Sequence, residues 1–380
     1  MIRIFVCTSH LSALFLTLHA KRSHRPGQLD LIIIDLGVRR VSVIDAILTA
    51  TGMHSWSRII NLSEVAEEKH TFRPGLSRRL IRKWKEVAFV RPVYALLLKR
   101  YERRSDDRIT RHLLNKLPAV APGSNVALHV HTECQILRSL RTMYPDAEVN
   151  YFEHGQGDYI YWDSPGRIPG RLHVLFAAPF RRYLSAHGRD ATMVHELELG
   201  GEFPRIADEV LKLDHHATEV LVPKARSIVF VLLEAVDMYQ VPDHFWGAYM
   251  DRIIEDLGDA GDHLFVLKPH PRQSRFSIER TLQRLNERGI RHHLLTDAHV
   301  GIAAEVSFAP WAPHVSHVYA LVSTACFYLS VLYPNDGITY HYSTSFLEEH
   351  INAAPPMYKR LFDRMKPLIE QVFAERCMPY

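Results

Sequence analysis

The chain has 380 residues, 47% of them hydrophobic and 23% charged. This ordinary globular profile excludes a chain dominated by disorder, and the length fits two domains better than one or three. The formal charge is +4 despite 24 His, and the four Cys (Cys7, Cys134, Cys326, Cys377) stand far apart with no CxxC pair. Neither a zinc site nor a disulfide framework is expected, and a reducing compartment is.

Met1 to Ala20 is apolar enough to suggest a signal peptide, but Thr8-Ser9-His10 interrupts it and no small-residue cleavage site is clear. The pattern predicts a strand over 2–7, a polar loop over 8–10 and a helix over 11–20. No uninterrupted apolar run approaches the ~20 residues of a spanning helix. Leu29–Asp35 (LDLIIID) reads as a parallel strand buried on both faces. A helix over 41–51 and a strand over 56–62 follow, then a helical region from about 76 to 117, broken at Pro92. Strands are expected over 125–131, 148–152 and 172–177, with helices over 133–143 and 180–187. An acidic segment from Glu196 to Asp214 then leads to a linker at about 216–226.

Strand–helix alternation restarts beyond it. Strands are expected over 228–233 (IVFVLL), 264–267, 292–295 and 318–322, with helices over 245–257, 278–288, 326–332 and 358–373. Alternation on both sides of a linker implies an α/β chain with two open parallel sheets. The expected division is 1–218, 227–355 and a C-terminal helix in 356–380, able to pack back on the N-terminal domain. In open parallel sheets ligands bind beyond the carboxyl ends of the strands. With two such sheets the natural site is the cleft between them, so the polar residues at strand ends become the candidates.

Three stretches qualify. In Phe265-Val266-Leu267-Lys268-Pro269-His270-Pro271-Arg272 the prolines push Lys268 and His270 into extended conformations. Residues two apart then share a face, so Lys268, His270 and Arg272 are expected to form a cationic comb suited to a phosphate or carboxylate. A polar, proline-stiffened turn is the plainer alternative. In Glu153-His154-Gly155-Gln156-Gly157, directly after a strand, an acid and an imidazole are presented where a general base is useful, and the glycines permit tight turns; a simple polar turn fits as well. In Val322-Ser323-Thr324-Ala325 a hydroxyl can cap the helix that follows, and a helix N-terminus favours an anion; a cap alone is the alternative. A fourth feature is charge: residues 73–111 hold 13 Lys or Arg against four acids, net +9, leaving the rest of the chain at −5. An anionic partner is implied, either an acidic polysaccharide or a membrane surface. A solvated helical face is the alternative, and nucleic acid is disfavoured because no binding module accompanies the patch.

These motifs, an acid–Gly element, Lys-Pro-His-Pro and a Ser-Thr pair in that order, resemble those of the bacterial sialyltransferases, above all the capsule-type polysialyltransferases. Kdo transferases and glycerol-phosphate polymerases carry related elements. The resemblance implies a GT-B fold, two Rossmann-like domains facing across a cleft, and an inverting, metal-independent transfer of sialic acid from CMP-sialic acid to a saccharide acceptor. It implies Glu153 as general base. The family pattern has two acids before the glycine where this chain has Glu153 and His154, so His154 is the substitute candidate. It implies that His270 contacts the CMP phosphate as acid or electrostatic stabiliser. Ser323 and Thr324 would bind the same phosphate, Glu305 the cytidine ribose, and Lys268, Pro271, Arg272 and Gly155 would complete the donor site. No cofactor and no metal are expected. The expected location is cytoplasmic, with peripheral contact to the inner membrane or an anionic glycan through 73–111. The competing readings are a CMP-Kdo transferase, a CDP-glycerol or CDP-ribitol phosphotransferase, and a non-catalytic carbohydrate-binding protein.

Overall fold

The structure, a computed structural model, describes residues 1–35, 47–48, 54–62, 109–117, 124–131, 134–153, 155–163, 170–199, 201–213, 227–295 and 302–380. The chain divides into two compact units. Met1–Ile44, His54–Phe152 and Pro169–Leu172 form the first; Asp45–Met53, Glu153–Ile168 and His173–Tyr380 form the second. The expected helix over 41–51 apart from residues 47–48, most of the helical region over 76–117, the basic stretch 73–111 up to residue 108, and the linker over 216–226 lie outside the described residues.

Apolar runs become strands, as the parallel-sheet pattern predicts. The first sheet comprises β1 (Ile2–Cys7), β2 (Leu29–Ile34), β3 (Arg58–Asn61), β4 (Val126–Val130), β5 (Glu148–Phe152), β6 (Arg171–Val174) and β7 (Val194–Glu196), ordered β3-β2-β1-β4-β5-β6-β7. The second comprises β8 (Ser227–Leu233), β9 (His263–Pro269), β10 (His292–Leu294), β11 (Val315–Ala320), β12 (Thr339–Tyr342) and β13 (Met378–Pro379), ordered β10-β9-β8-β11-β12-β13. Every ladder of the second sheet is parallel, as are those joining β3, β2, β1, β4 and β5. Each order reads 3-2-1-4-5-6 from its own first strand, the doubly wound arrangement whose ligand crevice opens where the order reverses. The reversals fall between β1 and β4 and between β8 and β11. The expectation of an α/β chain with two Rossmann-like parallel sheets holds.

Local chemistry explains the first crossover. Ser9 caps the helix His10–Ser23 by accepting from the Ser12 N–H, and the Ser12 side chain accepts the Ser9 N–H in return. That reciprocal pair satisfies two end donors. Leu11, Leu14, Phe15 and Leu18 of this helix are buried, so the stretch folds as strand, loop and helix.

Some elements differ from expectation. The acidic segment 196–214 contains a helix, Phe203–Leu213, whose Phe203, Ile206, Val210 and Leu211 are buried; the acids occupy its outer face and obscured the apolar stripe. The final helix is Pro356–Leu368, followed by a π turn over Ile369–Phe373. Pro367 lacks the N–H that continues a regular ladder. Arg364 Nη2 donates to the Ile160 carbonyl at 2.7 Å, and Phe373 packs edge-on against Tyr159, with ring centroids 4.7 Å apart. Among the described residues no helix is long and apolar enough to cross a membrane.

Candidate active site

β8 and β11 end side by side at the switch point of the second sheet. Glu234 follows β8 directly, and its Oε1 accepts the N–H groups of Leu321, Val322 and Ser323, each at 2.8 Å. Three successive amides turned towards one oxygen form an oxyanion seat. Loss of water around Glu234 pushes its pKa up to about 7, against the pull of those three donors. Ser323 then caps the helix Thr324–Leu332, its Oγ accepting from the Ala325 N–H at 3.3 Å. Ser323 thus serves as the expected cap, while the main-chain donors just before the helix hold an acid of the chain's own.

The Glu153 loop meets this helix. A Cβ built on Gly155 lies 3.8 Å from Thr324 Oγ1, ordinary contact distance. The φ of Gly155 is 168°, extended backbone that any residue adopts, so the expected need for a glycine turn does not arise there. Glu153 follows β5 and is 1% exposed. Its Oε2 accepts a very short hydrogen bond from the Tyr159 hydroxyl, and its Oε1 accepts the Leu175 N–H at 2.5 Å. Burial pushes its pKa up to about 8, while hydrogen bonds from Tyr159, Leu175 and Tyr328 pull the other way. Tyr328 belongs to the helix Thr324–Leu332, so Glu153 is tied by that hydrogen bond to the helix that Ser323 caps. His154 lies outside the described residues.

The cationic comb is corrected by the structure. Extended geometry ends at Pro269, and the Gln273 N–H bonds the His270 carbonyl at 2.9 Å, closing a turn over 270–273. Side-chain alternation therefore stops two residues too early. Lys268 is buried inside β9, its Nζ donating to the Pro269 carbonyl at 3.3 Å. His270, Pro271 and Arg272 are exposed. Lys268 instead acts on Glu305, a buried acid in the first turn of the short helix Ala304–Ser307. Burial pushes Glu305 up to about 7, and the Lys268 charge opposes that shift.

His270 is nonetheless held in a defined state. Its N–H makes the last rung to the Leu233 carbonyl at 2.8 Å, and its Nδ1 accepts the Arg272 N–H at 3.1 Å. An accepting Nδ1 places the ring proton on Nε2. Partial desolvation, then the Arg272 and Lys268 charges, lower its pKa. The result is a neutral imidazole offering an Nε2–H donor to solvent-side ligands.

At the other switch point, Thr8 Oγ1 after β1 lies 3.1 Å from His131 Nδ1 after β4. Glu234, Tyr159, Tyr328, Thr8 and His131 were not singled out from the sequence. Only Glu234 carried a signal, an acid placed directly after a seven-residue apolar strand; the others are brought to their places by packing.

No protein-family model and no curated protein matches the chain. Solved structures do. A sialyltransferase from Photobacterium damsela is 9% identical with a TM-score of 0.48, covering 100% of this chain and 81% of its own. A putative UDP-N-acetylglucosamine 2-epimerase from Listeria monocytogenes is 12% identical with a TM-score of 0.49, covering 90% and 78%. An ADP-heptose LPS heptosyltransferase II from E. coli is 9% identical with a TM-score of 0.42, covering 98% and 99%. At these scores the likeness carries no argument about activity.

Proposed function

We propose that the chain is an inverting glycosyltransferase of the GT-B type, moving sialic acid, or a related 2-keto sugar acid, from a CMP donor to a saccharide acceptor. The supporting observation is the meeting of the Glu153–Gly155 loop with the start of the helix Thr324–Leu332, beside an oxyanion seat at the switch point of the second sheet. An acid with a pKa near 8 and a hydroxyl-capped helix start are the two halves of a glycosyl transfer.

In this reading Glu153 takes the proton of the acceptor hydroxyl. The freed oxygen attacks the anomeric carbon as its bond to the phosphate oxygen breaks, and the bonding pair leaves with CMP. His270, through Nε2–H, and Thr324 stabilise the charge that grows on the departing phosphate, where fixed donors act most strongly. Glu234 holds the segment carrying Ser323 and Thr324 in place. Lys268 offsets Glu305 from within the strand rather than touching the ligand, and Glu305 takes the ribose hydroxyls. The basic stretch 73–111 supplies the contact to an anionic glycan or to the inner membrane face.

A donor screen with mass detection of product tests this. Incubation with CMP-sialate should release CMP and yield a product heavier by one sialyl residue. Release of CMP only from CMP-Kdo, or only from CDP-glycerol or CDP-ribitol, would replace the donor assignment. Absence of turnover together with no thermal shift at millimolar CMP would leave a carbohydrate-binding protein instead, since a ligand a hundred times above its Kd stabilises by about 2.7 kcal/mol.

A further inference from the structure

A second cluster stands apart from these residues, in the first compact unit at the amino-terminal edge of its sheet. Asp30, the second residue of β2, faces Arg3 of β1 in register and is 1% exposed. Arg3 grips it through Nε to Oδ1 at 2.6 Å and Nη2 to Oδ2 at 2.5 Å, and is itself held by Ser23 Oγ at 2.6 Å. Two histidines converge on the same carboxylate oxygen. His24 Nδ1 lies 2.8 Å from Oδ2 and His54 Nε2 2.7 Å from it. The three potential ligand atoms lie within 4.8 Å of one another.

We propose that His24, Asp30 and His54 form a binding site for a divalent transition metal of the zinc class, with the remaining position open to water. Three observations carry it. First, His24 Nδ1 and the buried His54 Nε2 converge on one carboxylate oxygen, at 2.8 and 2.7 Å, so two imidazole nitrogens and an oxygen are gathered about one point. Second, the spacing needs little change. Zinc–nitrogen bonds of about 2.0–2.1 Å set tetrahedral ligand edges near 3.3 Å, so the two histidine–oxygen contacts would open by about half an ångström, with all three ligand atoms already within 4.8 Å of one another. Third, Arg3 orients the carboxylate through both of its oxygens, the kind of outer contact that fixes a metal-ligating acid. Burial would raise the Asp30 pKa, but the His54, Arg3 and His24 contacts outweigh it and hold the carboxyl ionised. His24, 39% exposed, leaves a way in from solvent. The charge of Arg3 limits affinity and favours an imidazole-preferring ion over calcium or magnesium, which select all-oxygen sites. The ligands come from the end of the first helix, β2 and the segment before β3, so the ion would tie together three elements of the first unit.

The test is a calorimetric titration of the untagged, chelator-treated chain with Zn²⁺, repeated with Co²⁺ and read by its visible absorption. The expected result is one tight equivalent per chain. That equivalent should weaken at least about tenfold in His24→Ala and disappear in the His24→Ala/His54→Gln double variant. Circular dichroism should remain that of the apo wild type, showing that the variants fold. No tight equivalent in the wild type, or one kept with unchanged affinity in the folded double variant, overturns the proposal; the second outcome would place the ion on other histidines. Should the double variant not fold, unchanged affinity in the exposed-site variant His24→Ala is enough to reject it.

Discussion

Between β1 and β4 the first sheet ends in a hydroxyl and an imidazole, Thr8 and His131, 3.1 Å apart. Between β8 and β11 the second ends in a carboxylate, Glu234, seated on three main-chain N–H groups. The first six strands of the seven-stranded sheet follow the same order as the six of the other, so topology supplies the crevice and the strand-end residues supply its chemistry. A hydroxyl–imidazole pair can exchange hydrogen bonds with the hydroxyls of a sugar. Glu234, seated on those amides, fixes the helix start beside it, which on the proposed reading faces the donor phosphate. On the proposed reading the first switch point is expected to meet the sugar acceptor and the second the donor, an allotment that experiment can break.

The largest effect is expected at Glu153. Glu153→Gln should keep the fold and lower kcat by about 10²–10⁴, the usual contribution of a general base; near-normal turnover would remove Glu153 from the mechanism. His270→Ala should cost about 10²–10³ in kcat, the scale of one lost transition-state donor. A change confined to KM would make His270 a ground-state contact instead.

The pH profile joins these two. Activity needs ionised Glu153, so kcat/KM should rise about tenfold per unit up to pH about 8, its raised pKa. Stability should move in the opposite direction. Folded-state pKa values of about 8 for Glu153 and about 7 for Glu234 and Glu305 lie above the ~4.3 of an unfolded Glu. The folded state thus binds more protons. That contribution is complete below pH ~4 and is lost as pH rises through 7 to 8. Tm should fall from pH 5.5 to pH 9 in the wild type and fall less in Glu153→Gln; equal falls would show that other groups govern the slope.

A smaller effect sharpens the contrast at the second switch point. Glu234→Ala leaves three N–H groups without their acceptor, costing about 1–3 kcal/mol for each one kept from water. Glu234→Gln retains an oxygen in the same seat. Thermal melts should rank wild type and Gln above Ala, and an unchanged melt for Ala would show that the 321–323 segment is held by other contacts. The mildest change, Thr8→Val, should raise KM for the acceptor by a few-fold, the worth of one neutral hydrogen bond at about 0.5–1.5 kcal/mol, without altering donor KM. An effect on donor KM alone would reverse the allotment.

Much of this was legible from order along the chain. The runs LDLIIID, IVFVLL and LFVL marked buried strands, found at Leu29–Ile34, Ser227–Leu233 and His263–Pro269, because a parallel strand covered on both faces must be largely apolar. Positions after such runs then marked site candidates, and Glu153, His270 and Ser323 all fall at or just beyond strand ends. What failed was the extrapolation from backbone to side chain. The comb assumed extension through Arg272, but once β9 runs out of a neighbour to pair with, the chain turns. Lys268 was taken as a ligand contact, whereas its place inside a fully buried strand pairs it with the interior.

The sequence by itself determined the central strands of the two sheets, though not β7, β12 or β13, and where along the chain polar residues would be delivered, since periodicity and apolar runs are local properties. Only the tertiary structure decided which delivered groups meet. Glu234 and the amides of 321–323 are 87 to 89 residues apart, and His24, Asp30 and His54 come from three separate elements. The raised carboxyl pKa values follow from burial that no single segment provides. Such pairings depend on a crossover returning beside its own start, and that closure belongs to the folded chain as a whole.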